Sequence, residues 1–470
     1  MGDGLRVTVV PRGGSSLREL LHDAGLRLPS DCGGAGTCGK CRIQVLDAEG
    51  ECSVLACQYA PTAPVVVRAE IGPIGQIRRI GRGTRTGTAA LRLAADIGTT
   101  TISLAAVDRV RRRVVARRET LNPQMVFGTD VMSRIAAGTK LRRTRLEPEM
   151  LWFMDEYGVS RKHPILTVGN TVMAHFLMGR APASLGEFPY QSRLAYGKRL
   201  SHRRSGLWFE MLPLLGSFVG SDCTAAILAS GMYRTPRLSL LVDAGTNGEV
   251  VLGNRKRMLV TSTAAGPAFE GATLECGSLA QAGAVKAVRH EDDRFIPEVV
   301  GGGEAKSICG SGVLDAVAEA VRVGKVDASG RVLGCARLEV GQGPKPVFMS
   351  QADLREVQLA KGAIAAAIRV LLAEWGASAG EVERVHVTGR FGSSMNPRSA
   401  TRIGLLPSLP LARVKRHTNL ALLGAVRAAL DPALIDEAER FAANCREVML
   451  SSHPQFEHSF ITSLQLVPWH

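Results

Sequence analysis

Cys32, Cys38 and Cys41 stand in one glycine-rich stretch, with five residues between the first two and two between the second pair. Cys57 follows in Leu55-Ala-Cys57-Gln58, fifteen residues beyond Cys41. Iron takes thiolate sulfur, and four thiolates hold a two-iron, two-sulfur (2Fe-2S) cluster. The intervening glycines let the backbone curl close around such a group and aim N–H groups at its sulfurs. A zinc knuckle requires two C-x-x-C pairs, and this stretch has one. Cys52 is a fifth thiol nearby and competes with Cys57 for the fourth position.

A second set of residues suits phosphate chemistry. In Leu91-Arg-Leu-Ala-Ala-Asp96-Ile-Gly98-Thr99-Thr100-Thr101, an acid ends an apolar run and a glycine–hydroxyl turn follows. The design returns roughly 150 residues later in Leu238-Ser-Leu-Leu-Val-Asp243-Ala-Gly245-Thr246-Asn247-Gly248-Glu249. The N–H and O–H groups of such a turn face phosphate oxygens, and a carboxylate at the strand end holds a hydrated magnesium ion. One such hairpin is weak evidence, but two in one chain point to two similar lobes, each offering a phosphate-binding turn. Asp96 and Asp243 are the acids at these strand ends; Gly98, Thr99, Thr100, Gly245, Thr246 and Asn247 make up the turns, and Glu249 follows the second of them. Gly266 lies in the glycine-flanked turn that carries Glu270, and Gly310, Ser311 and Gly312 open a helix whose first N–H groups suit an anion. Gly389, Arg390 and Gly392 follow the apolar strand at Val385. Cys309, His175 and His386 read as core residues without a catalytic role.

The elements that must position these groups are legible in outline. Leu5 to Val10 alternates as a strand. Ser15 or Ser16 caps a helix with Leu17, Leu20, Leu21 and Ala24 on one face and Gly25 at its end. Strands are expected from Cys41 to Leu46 and from Val65 to Ala69. Residues 73–90 are glycine-rich and basic and read as a linker. This organisation gives a small domain at 1–72, a first lobe at 91–205 and a second lobe with a C-terminal tail at 206–470.

The chain has 470 residues, 45% of them hydrophobic, enough for two to four domains with large cores. No apolar run reaches eighteen residues, and the N-terminus reads as a strand rather than a signal peptide. Ten cysteines without a repeating framework fit a reducing compartment, so a cytoplasmic location is expected. The net charge of +15 reads first as an arginine-rich background of solvated faces and second as a surface for an acidic partner; no helix-turn-helix, zinc finger or basic–aromatic platform accompanies it. Neither nucleic acid nor membrane is therefore expected as a partner.

Strand, helix, cysteine loop and strands within seventy residues resemble a β-grasp two-iron ferredoxin, and Leu-Ala-Cys57-Gln matches its last motif, which favours Cys57 over Cys52. The paired hairpins resemble the superfamily of acetate kinase, sugar kinases, heat-shock ATPases and actin. Joined in one chain, the two resemble the reductive activators of corrinoid proteins. Asn122-Pro-Gln124, Phe127-Gly-Thr-Asp130-Val-Met-Ser-Arg134, Val168-Gly-Asn170-Thr171, Gly220-Ser-Asp222 and Ile403-Gly-Leu-Leu-Pro407 strengthen the likeness. The resemblance implies an α/β and α+β multidomain fold: a β-grasp ferredoxin, then a two-lobed actin-like ATPase with ribonuclease H-like lobes. It implies a 2Fe-2S cluster and Mg-ATP as cofactors, with Asp96 and Asp243 facing Mg-phosphate, Gly98, Thr99, Thr100, Gly245, Thr246 and Asn247 around the phosphates, and Glu249 and Glu270 as further candidates for positioning water or metal. The implied activity is ATP-dependent, one-electron return of a Co(II) corrinoid to Co(I). The partners would be a corrinoid protein or cobalamin-dependent methyltransferase and an upstream reductase or ferredoxin donor; the short linker leaves a homodimer open. Where the family tends to read Gly-Gly-Phe-Gly, this chain has Arg390 in second place, a guanidinium that could stack on adenine or block it. The alternative is a 2Fe-2S carrier on a non-hydrolysing nucleotide-binding docking platform. A hydroxyacyl-CoA dehydratase activator, with its shared four-iron cluster, and a small-molecule kinase, which needs no ferredoxin, fit less well.

Overall fold

The computed structural model describes residues 5–11, 13–23, 28, 36, 41–47, 50–69, 91–128, 130–138, 146–271, 273–341 and 346–470, with the Arg390 side chain outside that set. Cys32, Cys38, the expected Gly25 cap and the 73–90 linker lie outside the described residues. The chain divides into two compact units. The first holds residues 1–195, 200–211 and 428–431, and the second holds 196–199, 212–427 and 432–470.

The first unit begins with a four-stranded sheet of β1 (Leu5–Val9), β2 (Arg42–Asp47), β3 (Gly50–Leu55) and β4 (Val65–Ala69), ordered β1-β4-β2-β3. Helix α1 (Leu17–Asp23) starts at a capping box: the Ser16 hydroxyl accepts the Glu19 N–H, and the Ser16 N–H donates to the Glu19 carboxylate. Leu17, Leu20 and Leu21 then pack with Ile43, Val45, Val65 and Val67 into one small core. Burying a leucine contributes roughly 1.5–3 kcal/mol, so the three leucines anchor the helix to the sheet.

The rest of the first unit is a six-stranded sheet. Its strands are β5 (Leu91–Ile97), β6 (Thr101–Asp108), β7 (Arg113–Leu121), β8 (Ile165–Gly169), β9 (Leu200–Arg204) and β10 (Leu207–Met211), in the order β7-β6-β5-β8-β10-β9. β5, β6 and β7 are antiparallel; β8 runs parallel to β5 and β10 parallel to β8. Helices α2 (Val131–Ala137), α3 (Glu147–Tyr157) and α4 (Thr171–Leu177) complete the unit. The β9–β10 hairpin adds to the β8 edge, so the sheet runs on to Met211.

The second unit repeats the plan. After α5 (Ser221–Ser230) come β11 (Ser239–Ala244), β12 (Gly248–Gly253) and β13 (Met258–Thr263) as an antiparallel meander. A three-stranded insertion of β14 (Ala284–Glu291), β15 (Arg294–Val299) and β16 (Ser307–Ile308) leads into α6 (Gly310–Arg322). The ribbon β17 (Leu338–Gly341) and β18 (Val347–Met349) precedes α7 (Gln351–Trp375), which lies across β12 and β13. Then β19 (Arg384–Thr388) joins β11 in parallel, α8 (Gly389–Gly392) follows, and β20 (Val414–Arg416) and β21 (Cys445–Glu447) close the two edges. The order β20-β19-β11-β12-β13-β21 reproduces, around its central hairpin, the pattern β10-β8-β5-β6-β7 of the first unit. Both β5 and β11 are buried nearly end to end, as central strands covered on both faces must be. Asp96 and Asp243 sit near the ends of these strands and are the first acidic side chains along them with partial access to water.

Candidate functional site

In the ferredoxin domain, Cys41 immediately precedes β2 and Cys57 lies in the turn after β3; the Ala56 N–H donates to the Cys41 carbonyl and locks the two segments together. Their Sγ atoms stand 3.3 Å apart. A disulfide needs about 2.05 Å. A tetrahedral metal with metal–sulfur bonds of about 2.3 Å holds two sulfurs about 3.8 Å apart. The separation is too long for a disulfide and shorter than that of two thiolates on one tetrahedral ion, and the Gln58 amide donates toward the Cys57 sulfur at 3.8 Å. Cys52 sits on β3 opposite Val45, exposed to solvent.

The first phosphate-type turn joins β5 to β6, with Asp96 opposite Ser103. The Gly98 N–H donates to the Thr101 carbonyl at 2.9 Å, closing the turn. Asn170, the cap of α4, donates to the Thr99 hydroxyl at 2.9 Å. Asn122 donates its side-chain amide to the Gly98 carbonyl at 2.8 Å and its backbone N–H to the Thr100 carbonyl at 2.9 Å. These asparagines come from the motifs at 122 and 170, to which the sequence alone gave no role.

The second turn joins β11 to β12 and puts Glu249 directly across from Asp243. Cross-strand partners project to the same face, so two carboxylates meet there. Asp222, in the first turn of α5, brings its charge to bear on both. Burial, then Asp222, pushes Asp243 up to about 7. Burial pushes Asp222 up to about 6 against the pull of its Cys223 N–H bond. Glu249 rises well above its ordinary value through burial and then the other two acids, although the Ser262 hydroxyl donates to it at 3.2 Å. Crowding of three buried carboxyls favours their protonated forms. Among the described residues no three His, Cys, Asp or Glu side chains are disposed to hold one metal ion together. Asp222 is the acid that site reasoning from sequence missed. Its signal was an acid in the first turn of a helix entered through Gly220 and Ser221.

The remaining candidates gather on the second turn to different degrees. The Gly266 N–H donates to the Thr246 carbonyl at 3.0 Å, and the Thr246 hydroxyl donates to Glu270 at 3.0 Å. The Gly245 N–H donates to the Asn247 carbonyl inside the turn. Because β19 pairs Thr388 with Asp243, Gly389 arrives against the carboxylate: a Cβ there would lie 2.5 Å from Asp243 Oδ1, at a φ of +90°. Gly392 continues α8, as does Arg390, whose side chain is outside the described residues. Gly310, Ser311 and Gly312 form the first turn of α6 behind Cys309. A Cβ on Gly310 would meet the Phe269 carbonyl at 1.9 Å, and the Ser311 hydroxyl donates to the Lys286 carbonyl at 2.7 Å, so close packing claims both. His175 is fully buried and hydrogen-bonded to the Thr171 carbonyl, as a core histidine.

A two-iron ferredoxin domain followed by a duplicated ASKHA fold, the fold of the acetate and sugar kinases, defines the class of this protein. Residues 2–62 match the 2Fe-2S iron-sulfur cluster binding domain, 91–235 the RACo middle region, and 237–470 the C-terminal ASKHA domain of RACo. The chain belongs to the RACo family. The cofactor of its first part is a 2Fe-2S cluster. It is 31% identical over 375 residues to the corrinoid activation enzyme RamQ of Eubacterium limosum, covering 71% of this chain and 63% of that protein. It is 28% identical over 276 residues to the [Co(II) methylated amine-specific corrinoid protein] reductase of Methanosarcina barkeri, covering 54% of this chain and 50% of that one. The chain thus matches less than two thirds of the length of either curated relative. The solved structure of a reductive activator for a corrinoid iron-sulfur protein shares the fold over 98% of both chains, with a TM-score of 0.71 at 24% identity. No described helix is long and apolar enough to cross a membrane.

Proposed function

We propose that the protein is an ATP-dependent reductive activator that returns the Co(II) form of a corrinoid protein to Co(I). The observation that carries this reading is the Cys41–Cys57 thiol pair on one domain and two phosphate-type hairpins on the ASKHA body of the same chain. Cys32, Cys38, Cys41 and Cys57 hold the cluster, which supplies one electron to cobalt. Asp96 and Asp243 face Mg-phosphate, with Asp222, Glu249 and Glu270 ordering water around the ion. Thr99, Thr100, Gly245, Thr246 and Asn247 surround the phosphates, and Gly266 and the 389–392 turn line the nucleotide. ATP enters because Co(II) is hard to reduce: binding energy that favours the complex in which reduction is easier shifts the equilibrium by the difference in affinity. A reductase or ferredoxin of the cytoplasm reloads the cluster, and the reading does not require a second copy of the chain.

The test is optical. The anaerobically reduced protein is mixed with a Co(II) corrinoid protein from the same genome, and the Co(I) absorbance is followed before and after Mg-ATP. A Co(I) band that requires ATP supports the reading. An intact cluster that yields no Co(I) with any corrinoid partner refutes it.

A further inference from the structure

Arg134 is fully buried in α2, and no acidic side chain forms an ion pair with it among the described residues. Burying an unpaired guanidinium is costly, and it persists only where its donors are used. Here they are: Nε donates to the Gly128 carbonyl at 3.1 Å, Nη1 points to the Met173 sulfur at 3.6 Å, and Nη2 donates to the Thr99 carbonyl. Thr99 is the centre of the first phosphate-type turn. Its neighbours Gly98 and Thr100 have their carbonyls taken by the side chain and backbone of Asn122. Three successive carbonyls are therefore drawn into the protein. The N–H groups of Thr99 and Thr100 donate to nothing among the described residues. Consecutive N–H groups left without acceptors form an anion nest, and here a full positive charge lies on its carbonyl side. Burial holds the Arg134 guanidinium down at about 9, with Asp130, the cap of its own helix, pulling the other way.

We propose that Arg134 is the positioning residue of a phosphate nest at Gly98–Thr100, fixing its peptide planes and supplying the buried counter-charge for a nucleotide phosphate. The proposal rests on the nucleotide reading above and adds a residue that does not itself touch the ligand. Arg134 matters for phosphate and not for the base, which separates it from a merely structural arginine.

The experiment measures binding of Mg-ATP and of adenosine to the full cluster-loaded chain, with Arg134→Met and Arg134→Lys beside wild type. A charge-assisted hydrogen bond is worth about 1.5–3 kcal/mol, so Arg134→Met should lose about 10- to 100-fold in Mg-ATP affinity. Adenosine affinity should stay within about twofold, and Arg134→Lys should recover part of the loss. Mg-ATP affinity unchanged in a folded Arg134→Met protein overturns the inference while leaving the nucleotide reading intact. A wild type that does not prefer Mg-ATP over adenosine overturns both. If Arg134→Met does not fold, Arg134→Lys decides alone: it keeps a charge but cannot span the Gly128 and Thr99 carbonyls together. A clear drop in its preference for Mg-ATP over adenosine supports the inference, and a wild-type preference refutes it.

Discussion

Asp243→Asn should make the nucleotide-free protein more stable at alkaline pH while weakening its hold on Mg-ATP. The Asp243 carboxyl rises from 3.8 to about 7 on folding, because of burial and the neighbouring Asp222. A carboxyl raised that far costs about 4 kcal/mol once ionised. Its partial access to water reduces this to about 2–4 kcal/mol. The sign follows from proton linkage. Below pH 3.8 folded and unfolded states both keep the proton and there is no penalty. Between 3.8 and about 7 the unfolded chain ionises while the folded one does not, so stability falls as pH rises. Above about 7 the whole penalty applies, and an amide at 243 removes it. Calorimetry of the full chain without nucleotide or magnesium, from pH 5 to pH 8.5, reads the effect directly. The melting temperature of the ASKHA transition should rise by roughly 2–7 °C at pH 8, with less than half that gain at pH 5. An Asp243→Asn protein that melts lower than wild type at pH 8, or a gain independent of pH, would refute the picture of three crowded acids.

Cys57→Ser should abolish the visible 2Fe-2S absorbance and leave the ASKHA transition in place, whereas Cys52→Ser should keep the spectrum, since Cys52 is exposed on β3 and Cys57 lies 3.3 Å from Cys41. The reverse pattern would exchange the two thiols. Gly389→Ala should weaken Mg-ATP binding about tenfold, because a left-handed alanine costs about 1–2 kcal/mol and its Cβ would press on Asp243 from 2.5 Å. Titration of Mg-ATP into the variant checks this, and wild-type affinity would show that Gly389 does not hold the carboxylate in place.

Much of the fold was legible because its signals are contiguous. Leu91 to Ile97 and Ser239 to Ala244 are apolar runs ending at an acid and a glycine turn, and both became central strands. Ser16 and Glu19 announced their capping box in four residues. The site was less legible where distant segments converge. Gly310-Ser311-Gly312 read as an open anion-binding helix start, but Phe269 and the Lys286 carbonyl, from two other segments, occupy that space. Likewise, the residues of the β9–β10 hairpin do not themselves say which sheet edge it extends.

The sequence by itself determined the chemistry available to this protein. Thiol spacing, the repeated acid–glycine–threonine turn and the alternation of apolar residues are local properties, set by covalent distance and backbone preference. Tertiary structure alone decided which groups act together. Parallel pairing of β19 with β11 delivers Gly389 to Asp243 across more than a hundred residues of chain, and α5 brings Asp222 to the same acids. α2 buries Arg134 beneath Thr99, where a charge that is ordinary on a surface becomes a fixed electrostatic element. Burial changes what a charge costs, and burial is a property of the packed fold rather than of the residue.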